Sequence, residues 1–120
     1  MNNNTGVPNE IWSDRKRHLG LPISFTKYTL TPDRINIREG LFTITRNEIR
    51  LFRVLDVSVK MTLLQRLFGV GTVYIKSADE TMHDFELENI ADAEHVMEKI
   101  SLYVDRNREK HGVGAVERME

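Results

Sequence analysis

From residue 25 onward, apolar and polar residues alternate in short runs. Ile35 and Ile37 are interleaved with Arg34, Asn36 and Arg38, and Ile49 and Leu51 with Glu48 and Arg50. Val57 and Val59 alternate with Asp56, Ser58 and Lys60; Val73 and Ile75 with Thr72, Tyr74 and Lys76; Phe85 and Leu87 with Asp84, Glu86 and Glu88. A period of two with one apolar face is the mark of half-buried antiparallel strands around one core. The pattern predicts strands over 25–30, 34–38, 41–45, 48–51, 54–60, 71–77 and 82–88, with turns at 31–33, 39–40, 46–47 and 78–80. After residue 91 the period becomes helical. Ala93, Val96, Met97, Ile100, Tyr103 and Val104 fall in a sector of about 120°, with Leu102 opposite. Asp92 is the expected N-cap and Glu94 suits the first turn. Asn107 takes the next stripe position, so packing is expected to end near Val104 even where helix continues to Lys110.

The ends are different in kind. Residues 1–22 read as a lead: a polar, disordered start, then a helical turn or two over 10–18 anchored by Ile11 and Trp12, broken by Leu19-Gly20-Leu21-Pro22. Residues 23–110 carry the folded domain, and 111–120 a mobile tail. The order is therefore six or seven short strands followed by one C-terminal helix, a mainly β chain.

Between the fifth and sixth expected strands, residues 62–69 place Leu63, Leu64, Leu67 and Phe68 in an arc of about 140°. Such an arc is either an apolar lip for a membrane or partner, or a cap that fills the core and ends on Gly69. Burial is the commoner fate of such residues, so the cap is expected. Gly71 is expected to permit a tight backbone path.

At 120 residues the chain makes a single domain, and its 40% apolar and 29% charged content is that of an ordinary soluble globule. The absence of cysteine excludes disulfides, thiolate metal sites and a thiol nucleophile. No window has the apolar length of a signal core or a membrane span, which makes cytoplasmic the default location. The net charge of −1 hides a split: residues 1–30 balance at +2, 31–76 at +4 and 77–120 at −7. A dipolar chain of this kind bears on partners rather than on fold.

Four segments carry a resemblance. Tyr28-Thr-Leu-Thr-Pro-Asp-Arg34-Ile, Arg38-Glu-Gly40-Leu-Phe, Glu48-Ile-x-Leu-x-Arg53-Val-x-Asp56-Val and Leu64-Gln-Arg66-Leu-Phe-Gly69-Val-Gly71-Thr-Val together resemble the bacterial pleckstrin-homology-like (PH-like) domain. The resemblance covers 23 to about 104. It implies a strongly bent seven-stranded antiparallel sandwich or barrel, capped at one open end by the C-terminal helix. Many relatives insert a membrane hairpin between a Trp-bearing lead and the Tyr-x-Leu-Thr strand; the fifteen residues between Trp12 and Tyr28 leave no room for one. Eukaryotic relatives bind phosphoinositides with a basic first hairpin loop, whereas Thr31-Pro32-Asp33 is short and acidic, so that specificity is not carried over. The family shares no enzymatic activity.

Candidate chemistry is correspondingly thin. Arg34, Arg38, Arg50 and Lys60 lie on the wet faces of successive strands and, with Lys27, Arg46, Arg66 and Lys76, form a candidate anion- or partner-binding surface. An ordinary solvated face is the bland alternative. Leu63, Leu64 and Phe68 are the candidate apolar lip. Arg53 and Asp56 suggest a salt bridge at a bend. His18, His83, His95 and His111 lack ligand spacing, and His95 is expected to face solvent. Asp84, Glu86 and Glu88 have no partner base. Tyr28 and Tyr74 are candidates for stacking on nucleic-acid bases, but the near-neutral total and the acidic last third argue against a phosphate-tracking groove. The expectation is a non-enzymatic module without cofactor, metal or nucleic acid. Its partner is expected to be a protein or a second copy, basic face to acidic face; the alternative is an anionic membrane surface bound through the basic strand faces.

Overall fold

The computed structural model describes residues 9–80 and 83–111. In chain order come strands β1 (Trp12–Arg15), β2 (Thr26–Leu30), β3 (Arg34–Glu39) and β4 (Thr45–Arg50), then a 3-10 turn (Leu51–Arg53). They are followed by β5 (Val54–Lys60), helix α1 (Leu63–Leu67), β6 (Val70–Ser77), β7 (Asp84–Ala91) and helix α2 (Ala93–Lys110). β1 to β4 form one antiparallel sheet in sequence order, and β5 to β7 form a second. The alternation explains the core. Leu30, Ile35 and Ile49 from the first sheet meet Val73, Ile75 and Leu87 from the second, and α2 adds Val96 and Ile100. The chain is thus a mainly β sandwich with a C-terminal helix, and its sheets do not close into a barrel.

At one corner the sheets are tied by polar bonds. The Asp14 carboxylate accepts from the Ala91 N–H at 3.0 Å, the Tyr28 hydroxyl accepts from the Glu88 N–H at 3.1 Å, and the Arg17 N–H donates to the Asn89 carbonyl at 2.8 Å.

Several expectations need correction. Residues 10–18 are not helical: Trp12 pairs with Leu30 and Asp14 with Tyr28, so β1 extends the first sheet. Trp12 and Ile11 pack against the core of their own domain. There is no strand over 41–44, and Arg46-Asn47 is not a turn. The β3–β4 pairing runs on through Arg38↔Arg46 to Glu39↔Thr45, and the connection is the loop at 40–44. Gly40 permits that loop, because its φ is +116° and an added Cβ would fall 1.8 Å from the Thr43 carbonyl oxygen. β7 runs on past Glu88 to Ala91, and Met82 lies outside the described residues. Asp92 does not cap α2 with its side chain; it is left-handed (φ +53°), and its carbonyl accepts from Val96.

Packing of α2 also continues past Val104. Asn107 is buried, donating to the carbonyls of Pro32 (2.6 Å) and Tyr103 (2.7 Å), and the Arg108 guanidinium is buried against the Val54 carbonyl at 2.8 Å. Polar side chains seal that end by donating to carbonyls of the β2–β3 turn and of β5 as well as of α2 itself. Arg53 and Asp56 form no salt bridge among the described residues. Arg53 lies over the Phe52 ring, and the bend is made by the 3-10 turn and an irregularity between Val54 and Asp56. The expected disordered start and mobile tail lie outside the described residues, apart from Asn9, Glu10 and His111.

Candidate anion-binding face and apolar rim

Residues paired across an antiparallel ladder share a face of the sheet. The register of the first sheet therefore sorts its side chains into rows. Trp12, Leu30, Ile35 and Ile49 make one inward row; Asp14, Tyr28, Ile37 and Asn47 make the next. On the outward face, Arg15 stands opposite Lys27, Lys27 opposite Arg38, and Arg38 opposite Arg46. One row across all four strands is thus cationic throughout. Beside it runs a row of shorter polar groups, Ser13, Thr29 and Asn36 with Glu48, and beyond that Arg34 faces Arg50. Asn36 is only 7% exposed beneath its longer neighbours, and its side-chain oxygen has no hydrogen-bond partner.

Neutralisation across this face is uneven. Arg34 is held by Asp33 and by Glu48, each at 3.0 Å, and its hydrogen bond keeps the Asp33 carboxyl below the usual carboxylate range. In the cation row, Arg46 reaches Glu48 only at 3.5 Å, and Arg15 donates to the Ser24 carbonyl. Lys27 and Arg38 form no ion pair among the described residues.

The structure therefore brings Arg34, Arg38 and Arg50 onto one face with Lys27 and Arg46. It does not bring Lys60, on β5, or Arg66, on α1, to that face. Lys76 lies between Asp56 and Asp84 on the second sheet, a row in which two carboxylates outweigh its charge. Arg15 escaped the sequence reading because a four-residue strand with an inward aspartate shows no apolar alternation.

The apolar arc of α1 faces solvent, contrary to the expected cap. Leu63 is 79% and Leu67 77% exposed, Leu64 is also exposed, and no residue of α1 is buried. The cause is the helix's polar side. Gln65 closes a capping box with Thr62, and its amide nitrogen donates inward to Thr72 Oγ1 (3.0 Å) and Asn89 Oδ1 (2.7 Å). That pins the glutamine to the domain and turns the leucines out. Gly69 ends the helix with φ +72°, as expected. Gly71 serves close packing within the chain, since an added Cβ would meet Met61 and Ala93.

Exposed apolar residues also crowd the loops at the end of the first sheet nearest the cation row. Phe42 is 97% exposed, with Leu41 and Ile44 beside it and Ile23 and Phe25 on the β1–β2 loop. The 41–45 run had been expected to form a strand. Its dense apolar content was legible; its exposure was not, because that depends on the Gly40 turn.

The remaining chemistry is sparse. A depression of about 410 Å³ between the sheets is lined by Tyr28, Glu39, Asn47, Phe85, Glu86 and Glu88, with Lys16 on Glu88 at 2.5 Å. A second, of about 440 Å³, lies beside Arg66 and the start of α2, where His95 is exposed. Neither pairs a nucleophile with a base. Among the described residues no group of three His, Asp or Glu side chains is placed to hold a metal, and no helix is long and apolar enough to cross a membrane. Tyr28 is buried, which removes it as a stacking platform, and burial pushes its hydroxyl pKa up to about 12.

A family model described as bacterial PH domain matches residues 20–104, and the chain belongs to that family. No curated protein and no solved structure matches it.

Proposed function

We propose that this PH domain is a non-catalytic docking module that attaches to anionic membrane surfaces through the outer face of its four-stranded sheet. One observation carries the reading: the row Arg15, Lys27, Arg38 and Arg46, one cation on each strand. Like charges directly opposite each other weaken a sheet, and an external anionic surface relieves that repulsion. Basic side chains near an anionic bilayer contribute about 1 kcal/mol each, so four suffice for reversible association.

Docking to a second copy, basic face to acidic face, has weaker support. On α2, Glu94, Glu98, Asp105 and Glu109 share one exposed arc of about 60°, but Lys99, Arg106 and Lys110 line the adjacent arc, so the acidic stripe is one narrow helix face beside cations. The second sheet's outer row alternates in sign.

The test is co-flotation with phosphatidylcholine and with phosphatidylglycerol vesicles. The wild-type chain is expected to float with the anionic vesicles only, with binding greatly weakened by salt. The double substitution Lys27→Glu and Arg38→Glu replaces two attractions by repulsions and should weaken binding at least about a hundredfold. Unchanged flotation of that variant, or none by the wild-type chain, rejects the reading. Arg34 is the poorer target, because Asp33 and Glu48 already neutralise it.

A further inference from the structure

Apart from Leu55 and Leu102, every exposed large apolar side chain among the described residues lies on just three segments. These are the β1–β2 loop, the β3–β4 loop and α1 together with Phe68. The three are contiguous. The Phe25 carbonyl accepts from the Gly40 N–H at 3.0 Å, joining the two loops. At the other end of the β1–β2 loop, a Cβ added to Gly20 would lie 3.1 Å from the Phe68 carbonyl oxygen, so this loop also touches the end of α1. Apolar patches of more than a few hundred Å² are uncommon on soluble monomers and mark a surface that something covers.

We infer that these three segments form one apolar rim that enters the interfacial layer of an anionic bilayer, while the cation row beside it lies among the headgroups. The inference rests on the membrane reading above and adds the part of the surface that leaves water. Three observations favour lipid over a protein as the covering partner. First, the rim projects: Phe42, at a loop tip, is almost wholly in solvent, which suits a soft medium better than a shaped pocket. Second, the rim is held in place. Gln65 is bonded inward to Thr72 and Asn89, and Gly40 has no space for a side chain, so neither α1 nor the β3–β4 loop turns its apolar residues in without breaking contacts. Third, spacing and charge agree. Lys27 of β2 follows Phe25 of the β1–β2 loop by two positions, about 7 Å along the chain, within the depth of roughly 5–10 Å to which interfacial apolar faces sink. An apolar edge backed by cations complements a bilayer with anionic headgroups.

The experiment compares the wild-type chain, Phe42→Ser with Leu67→Ser, and Lys27→Glu with Arg38→Glu. Each is titrated with phosphatidylglycerol vesicles at low and high salt, and its oligomeric state is measured by sedimentation without lipid. Both serine positions are exposed, so thermal unfolding should be unchanged. The expected result is that the serine variant loses affinity about tenfold or more and also loses the residual binding that the wild-type chain keeps at high salt. In a Phe42→Trp variant, bromine-labelled phosphatidylglycerol should quench the introduced indole. If the serine variant binds as the wild-type chain does while the glutamate variant does not, adsorption is by charge alone: the rim inference falls and the membrane reading stands. If the wild-type chain binds no vesicle, both fall. If it self-associates without lipid and the serine variant is monomeric, the rim is an interface between copies and the inference is overturned.

Discussion

In α2 the stripe of Ala93, Val96, Ile100 and Val104 is sealed against the sheets; in α1 Leu63, Leu64 and Leu67 face water, and the side chain fastened inward is a glutamine. Both helices are amphipathic, and in both the polar bonding explains the orientation. α2 lies over an apolar core, and from its last turns Asn107 and Arg108 donate to the carbonyls of Pro32 and Val54 on other elements. α1 lies over the side-chain oxygens of Thr72 and Asn89, and Gln65 donates to both. An apolar stripe thus reports that a partner exists. Whether the partner is the chain's own core depends on the atoms underneath.

The comparison breaks first at Ile100, which has no solvent exposure. Ile100→Ala should lower unfolding stability by about 2–5 kcal/mol, the cost of lost apolar transfer plus the cavity left behind. Urea denaturation would show it as a lower midpoint with an unchanged slope. A cost below 1 kcal/mol would mean that α2 covers the sheets loosely and that the contrast with α1 is one of degree.

Tyr28 marks the inner limit of the exposed region, on the opposite face of β2 from Lys27. A free tyrosine titrates near 10, and burial raises Tyr28 to about 12. Between those values the unfolded chain gives up a proton that the folded chain keeps. Stability is therefore complete below pH 10 and falls as pH rises toward 12, by about 2–3 kcal/mol in all. Tyr28→Phe should remove most of that slope. At neutral pH it should cost about 1 kcal/mol, since the Glu88 N–H loses its acceptor. An alkaline slope identical in the variant would show that water reaches the hydroxyl.

The fold was legible where burial follows a local period. Ile35 with Ile37, Val73 with Ile75, and Phe85 with Leu87 all enter the core that their alternation predicts. It was not legible where a distant partner decides. β1 is four residues long, and its inward Asp14 is satisfied by the Ala91 backbone on the far sheet, a contact with no local signature. Asn107 looked like the end of packing because the Pro32 carbonyl that it satisfies lies on another element. Within the candidate site, the cations could be named from sequence, but their grouping required the register. Arg38 and Arg46 become neighbours only because β4 begins at Thr45, and Lys60 drops out because it belongs to the other sheet.

The smallest expected effect tests the comparison most directly. Leu67→Ser alone should shift stability by no more than about 0.5 kcal/mol, because a side chain 77% exposed loses little on truncation. The same chemical change at a buried leucine such as Leu87 removes a full side chain from the core and introduces a hydroxyl without an assured partner. Two leucines equal in sequence terms should then differ by several kcal/mol in unfolding, an order set by position alone. If Leu67→Ser proves costly in dilute solution, the leucines of α1 already rest against something in the free chain. The outward orientation of this helix would then be an internal contact, and the rim would lose one of its three segments.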